Sequence, residues 1–228
     1  MKGVIVVAGY GSGISNAVAG KFGGEGFAVA PVARTQERLE AGVRALKTKG
    51  IEAVAFVADA GKPASIREAI AAIHRSLGPI TVLQWTAYGA GAGDLSQASG
   101  DELRTLFDVP VLGLVSAVQA ALPDLKAQQG AVLVTNGGFG LLDAQTDQRA
   151  AQLNVMGLAV ANAAKHKLVR VLSAKLKNDG VYVAEIMVCG AVKGTAFDNG
   201  SATIEAATVG AAFWKLWTGR RELSVNVT

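Results

Sequence analysis

Cysteine is almost absent. Cys189 stands alone in 228 residues, so no internal disulfide can form, and a reducing cytoplasm is the expected compartment. Histidine is nearly as scarce: His74 and His166 are the only two, neither pairs with another Cys or His at zinc spacing, and no metal site is expected. Aromatic residues make up 6% of the chain and charged residues 18%, and the 22 Lys and Arg residues are scattered rather than gathered in a run. A net charge of +4 spread in this way gives no basic stripe to track a phosphate backbone, so no nucleic acid partner is expected. Long apolar runs are missing too, and none is expected to supply the ~20 residues of a membrane crossing. The opening MKGVIVVAG resembles a signal-peptide stub, but its apolar stretch stops at Gly9 with no cleavage-like site after it. The expectation is a soluble cytoplasmic protein with no membrane partner.

What the chain does have is small and apolar residues: 50% hydrophobic, with 28 glycines. That is enough for one α/β domain over 1–228 with a sizeable core. Short β-branched runs recur at 3–8, 28–33, 53–57, 81–85, 131–135 and 181–188, each followed by a helical pattern, and the alternation predicts a parallel sheet flanked by helices on both faces. "TQERLEAGVRALKTKG" carries Leu39, Val43 and Leu46 on one side, and "KPASIREAIAAIHRSLG" has Pro63 near its start and Gly78 after its end, with His74 as an ordinary helix residue. Two longer helices are expected at 101–129 and 151–178. The second is rich in small apolar residues on more than one side, which suits packing on the sheet and on a second copy, as a homodimer or homotetramer. The tail adds an amphipathic helix with Phe213, Leu216 and Trp217 on one side, then an alternating strand.

"VVAGYGSGISNAVA" places Gly9, Gly11 and Gly13 between the first strand and a helix. A strand that ends in glycines and opens into a helix turns backbone N–H groups and a helix N-terminus toward a diphosphate, since glycine has no side chain to hold the phosphate off. Alone, the same glycines could make only a tight turn.

The loop also resembles the Thr-Gly-x-x-x-Gly-Ile-Gly loop of the short-chain dehydrogenase/reductase family, with Ala8 in the Thr place, Ser15 in that of the last Gly, and Gly9 and Gly13 kept. The likeness runs through most of the chain and implies a Rossmann-like doubly wound fold. In "VARTQERL", Ala33 occupies the place of the acidic residue that receives the ribose of NAD, and Arg34 follows it. The comparison therefore implies NADP(H) in preference to NAD(H). "FVADAGKPASI" places Asp59 and Ala60 at the adenine, and Ala87 survives from an Asn-Asn-Ala-Gly strand end. "VCGAVKGT" sets Cys189 and Gly190 in a Pro-Gly turn, with Val192 and Thr195 near the nicotinamide. The implied cofactor-binding set is Gly9, Tyr10, Gly11, Ser12, Gly13, Ile14, Arg34, Asp59, Ala60, Ala87, Asn162, Gly190, Val192 and Thr195. Tyr10 is expected over the cofactor or at the surface, and Tyr88 at the wall of a pocket for a small-molecule carbonyl or alcohol substrate.

The family's proton-transfer residues are not where the resemblance would put them. Its Asn falls on Pro110, counted back from Gly113, and its Ser on Gly137, counted back from Gly140. Its Tyr and Lys fall on Leu158 and Asn162, counted back from Gly180, and no Tyr-x-x-x-Lys occurs anywhere. Residues 141–152 look longer than usual, but a slip onto Lys165 puts Ala161, not tyrosine, four residues upstream. Leu158 has no proton to give, and Asn162 can hold a ribose hydroxyl without lowering a neighbour's pKa. Substitutes are Tyr88, Tyr10, and Asn154 or His166, expected on one helical face with Leu158 and Asn162. Two functions stay open: an NADP(H) oxidoreductase with a non-standard site, and an inactive nucleotide-binding, sensing or assembly protein of the same fold.

Overall fold

The computed structural model describes residues 2–89 and 92–228. Strand β1 (Val4–Ala8) leads through a glycine loop into α1 (Ile14–Gly24), followed by β2 (Ala28–Ala33), α2 (Gln36–Lys47), β3 (Phe56–Val57), α3 (Pro63–Leu77) and β4 (Ile80–Trp85). Beyond β4 come α4 (Gly100–Thr105), a π-helical turn (Asp108–Gly113), α5 (Leu114–Ala127), β5 (Ala131–Gly137), α6 (Ala144–Gln152), α7 (Met156–Leu176), β6 (Tyr182–Val188), α8 (Ala206–Gly219) and β7 (Ser224–Val227). The strands form one parallel sheet in the order β3-β2-β1-β4-β5-β6-β7. The direction of winding reverses between β1 and β4, and a crevice opens at such a point outside the strand ends.

Central strands covered on both faces read as unbroken apolar runs, and VIVVA of β1 is buried throughout. One core joins the sheet to α3, α5 and α7 through Ile66, Ile73, Leu114, Leu125 and Val169. The other joins it to α1, α2 and α8 through Val18, Phe22, Leu39, Val209 and Phe213. Leu39, Val43 and Leu46 are buried on α2, as their spacing requires, and Gly78 ends α3 with φ +94°. His74 lies on the surface of α3, with Nδ1 2.7 Å from Asp124 Oδ2.

Three expectations change. The 101–129 helix is broken: Pro110 has no N–H and crowds the carbonyl one turn back, so the chain widens into the π turn, where Leu112 N donates to Phe107 O at 3.0 Å. The helix expected over 151–178 begins later, at Met156, and a helix not expected precedes it. Residues 144–152 form the separate α6, capped by the Asp143 side chain accepting from Thr146 N at 2.9 Å, and Asn154 takes φ +56° at the break. The third concerns apolar length. Gly100–Ala127 reaches a mean hydropathy of 1.6 over an 18-residue window, enough by length and composition to cross a membrane. Its Leu114, Ala117, Val118, Ala121 and Leu125 are buried in the core instead.

Candidate active site

The glycine loop is shaped by what it touches. Gly9 has φ +80°, and a Cβ there would lie 2.4 Å from the Ala87 backbone N just past β4. A methyl group at Gly13 would meet Thr195 Cγ2 at 2.6 Å, whereas Gly11 faces open space. The loop after β1, the end of β4 and the segment after β6 therefore converge on one point. Gly9→Ala adds both a left-handed alanine and a backbone clash, and is expected to cost at least ~2 kcal/mol in chemical denaturation. Gly11→Ala serves as the near-neutral control.

The amides of the loop divide into used and free. Gly9 N and Tyr10 N both donate to Val32 O, at 2.9 and 3.0 Å. Gly11 N donates to Ser15 Oγ at 2.8 Å, and that hydroxyl contacts Gly11 O at 3.2 Å, so Ser15, standing in the place of a glycine, closes the loop. Ala17 N returns to Gly13 O as the helix begins. Ile14, Ser15 and Asn16 are left with N–H groups unpartnered among the described residues. Gly13 gives no side-chain cap and no acidic residue stands in the first turn, so this helix end keeps its positive pole bare. Ser12 is exposed beside it.

Tyr10 is a correction. Its ring is buried against α2, where any side chain at Gly42 would strike it at 2.3 Å, and its hydroxyl donates to Asn16 Oδ1 at 2.9 Å. It lies in the core rather than at the surface, its amide is occupied, and burial raises its pKa. Arg34 is exposed at the end of β2 and makes no salt bridge among the described residues. Asp59 Oδ1 accepts from Gly61 N at 3.0 Å. Ala60 O lies 2.0 Å from where a Gly113 side chain would begin, which ties the β3–α3 loop to the π turn. Gly190 and Val192 begin the segment after β6, held at its base by the bridge of Val192 to Ile204. Thr195 Oγ1 donates to Val192 O at 2.7 Å.

The four positions inferred for proton transfer have few polar groups to offer. Pro110 is buried in the π turn and Leu158 is half-buried on α7. Gly137 closes β5, and a side chain there would meet Asn162 Nδ2 at 2.6 Å, so the Ser and Lys places do adjoin. Asn154 does not extend this face, whereas His166 stays on α7 one turn beyond Asn162. Asn154 lies outside α7, against Gly93, and His166 Nδ1 is hydrogen-bonded to Glu185 Oε1. Tyr88 is half exposed and paired with Phe197.

Beneath Asn162 lies a polar cluster that sequence reasoning missed. Glu185 on β6 is fully buried; its Oε2 accepts from Asn136 Nδ2 at 2.9 Å, and the same nitrogen reaches Asn162 O at 3.1 Å. Asn136 Oδ1 accepts from Gly137 N at 3.0 Å. Lys165, also buried, has its pKa pulled down to about 8 by desolvation, against the opposing charge of Glu185. The signals were present: a glutamate inside the apolar run "VYVAEIMV", and a lysine four residues from buried Ala161 and Val169 on the inward side of α7. A second polar set, Gln84, Thr86 and Thr135, links β4 to β5, with Thr86 and Thr135 hydroxyls 2.9 Å apart.

Known proteins resemble this chain across most of its length. The family model described as short chain dehydrogenase matches residues 3–204. Among curated relatives, a peroxisomal 2,4-dienoyl-CoA reductase of Arabidopsis thaliana is 27% identical over 140 residues, 61% of this chain and 47% of that one. A 2,3-dihydro-2,3-dihydroxybenzoate dehydrogenase of Bacillus subtilis is 31% identical over 134 residues, covering 59% and 51%. The matched stretch thus spans about half the length of these relatives. An NADPH-bound short chain oxidoreductase of Pseudomonas aeruginosa, described as containing an atypical catalytic center, superposes with a TM-score of 0.86 at 21% identity, covering 99% of this chain and 95% of that one. At that identity the likeness is one of fold. With the family model spanning 3–204, the parallel sheet and the glycine crevice in agreement, the chain belongs to the short chain dehydrogenase family.

Proposed function

We propose that the chain binds NADP(H), in preference to NAD(H), in the crevice between β1 and β4, and acts on a small carbonyl or alcohol compound with acid–base groups unlike those usual in its family. One observation carries the reading: a bare row of amides follows β1, and at the end of the neighbouring strand stands a cation with no salt bridge among the described residues. Ile14, Ser15 and Asn16 offer N–H groups with no carboxylate in that turn, and Arg34 stands exposed at the end of the neighbouring strand. A diphosphate suits the first and a ribose 2′-phosphate the second. The open space at Gly11 lets a phosphate approach the backbone. When bound, the nicotinamide supplies a hydride. Asn162, adjoining Gly137, offers its amide to a ribose hydroxyl, and Thr195 lies against the glycine loop at Gly13. The NADPH of the Pseudomonas neighbour, with its atypical center, supports the same assignment. Leu112, Val160 and Val171, exposed on the π turn and α7, give a second copy an apolar face and support a homo-oligomer.

A second reading, nucleotide binding without turnover, is favoured by Pro110, Gly137 and Leu158, which offer no titratable proton. Thermal-shift titration tests the shared part: NADPH raises Tm more than NADH does at equal concentration, and no shift with either defeats both readings. NADPH oxidation across a broad carbonyl panel then separates them. Turnover lost in Tyr88→Phe makes the Tyr88 phenol the proton donor, and the absence of any turnover favours the sensor.

A further inference from the structure

Two aromatic rings meet across the carboxyl edge of the sheet. Tyr88 follows β4 and Phe197 lies in the segment after β6, and β5 separates those strands. Neighbouring strands are about 4.8 Å apart, which sets β4 and β6 roughly 10 Å apart. The ring centroids nonetheless stand 5.5 Å from each other, with planes at 43°. The contact forms an arch from the β6 side to the β4 side of the crevice. Both feet rest on the glycine loop: Ala87, beside Tyr88, is against Gly9, and Thr195, two residues before Phe197, is against Gly13.

The arch is held in place. Asp198 accepts from Gly194 N and from Gly200 N, each at 2.9 Å, which ties the two left-handed glycines of the segment together around Phe197. Even so, Tyr88 keeps 50% and Phe197 54% of its surface exposed. Large aromatic side chains kept at that exposure by a fixed loop are groups available to a ligand. Of the four inferred proton-transfer positions, Pro110, Gly137 and Leu158 offer no side-chain hydrogen bond, and Asn162 alone does. The exposed ring faces add an apolar means of recognition to the few polar groups, such as the Asn162 amide, that the site supplies.

We propose that Tyr88 and Phe197 are specificity determinants that select a flat, conjugated carbonyl compound over a saturated one of the same carbon skeleton. The inference rests on the nucleotide reading above, in which a nicotinamide fills the crevice and the arch forms the substrate's remaining wall. With the planes inclined at 43°, an extended π system can stack on one ring and meet the other in a tilted, edge-directed contact, whereas a puckered saturated ring meets both through hydrogens alone. The geometric preference of aromatic pairs amounts to a discrimination of roughly three- to tenfold.

The test is a pair of binding titrations, by calorimetry or ligand-observed NMR, using 2-acetonaphthone and its fully saturated decalin analogue, each with and without saturating NADPH. The aromatic ketone is expected to bind roughly three- to tenfold more tightly. Phe197→Leu and Tyr88→Leu bring the ratio close to one, and Phe197→Tyr restores it. NADPH affinity, measured in the same samples, stays within about twofold in Phe197→Leu, as expected for a residue outside the phosphate cradle. Equal affinity for the two ketones with and without nucleotide overturns the proposal, as does a ratio that survives both leucine substitutions. Failure of NADPH to bind at all overturns the nucleotide reading instead, and the nucleotide-free titrations still decide whether the arch discriminates.

Discussion

Replacing Arg34 by alanine is expected to weaken NADPH binding about ten- to a hundredfold while leaving NADH binding within about twofold. The size follows from charge-assisted hydrogen bonds between a guanidinium and a phosphate dianion. The selectivity follows from position: Arg34 stands at the end of β2, beside the strand that carries the glycine loop, and NADH has no phosphate at that corner. Ala33 gives the complement, since no carboxylate at the strand end competes for the ribose or repels its phosphate. Ala33→Asp combined with Arg34→Ala should therefore reverse the preference toward NADH. Arg34→Lys keeps the charge but loses the bidentate fork, and is expected to fall between wild type and Arg34→Ala. Raising the salt concentration should weaken NADPH binding more than NADH binding, because the extra ion pair is solvent-exposed. Isothermal titration calorimetry with both coenzymes on the three variants checks each of these outcomes.

The second large effect is on stability. Glu185→Ala removes the carboxylate that His166 and Asn136 bind and leaves Lys165 buried without its counter-charge; a loss of ~3–5 kcal/mol is expected in chemical denaturation. Lys165→Met with Glu185→Leu removes both charges together and should recover much of that loss, since an apolar pair of similar volume escapes the desolvation of two ions. The lysine also leaves a signature in pH. Burial holds its folded pKa at about 8, below the ordinary lysine value of 10.5. Between those values the unfolded chain carries a proton there that the folded chain lacks, so this group makes stability rise with pH across that window; below about pH 8 both states are protonated and its contribution levels off. Lys165→Met removes that rise. The difference in Tm between variant and wild type, followed from pH 7 to pH 10, isolates it from the other titrating groups.

The fold was legible because a parallel sheet covered on both faces writes itself as apolar runs: VIVVA, AVAPVA and AVLVTNG appear as buried strands where the sequence suggests them. Helix interruptions were harder to place. Pro110 lay inside the helix expected over 101–129, and that the chain absorbs it as a π turn depends on tertiary contacts such as Gly113 against Ala60. The length of 141–152 hinted at an insertion, yet periodicity gave no helix there and began the next one at 151, because the break at Asn154 is made by long-range bonds. Met156 N and Gly157 N find Gly93 O and Ala92 O, carbonyls from the segment after β4. The glycine loop could be read locally, since its spacing is the feature itself. Tyr10 could not, because the ring turns inward only where α2 offers Gly42. The Glu185 cluster shows the same limit. A glutamate in one strand and a lysine in one helix carry no joint signal until the sheet register sets Glu185 beside Val134 and α7 closes over both.

An amide NMR titration with NADPH tests most directly whether main-chain N–H groups at the start of α1 hold a coenzyme diphosphate. The account predicts that the largest chemical-shift changes fall on Ser12, Gly13, Ile14, Ser15 and Asn16, together with the side chain of Arg34, while Gly9 and Tyr10, whose amides already serve Val32, move less. Resonances of that turn left in place by saturating NADPH, or displaced only elsewhere on the molecule, would contradict it.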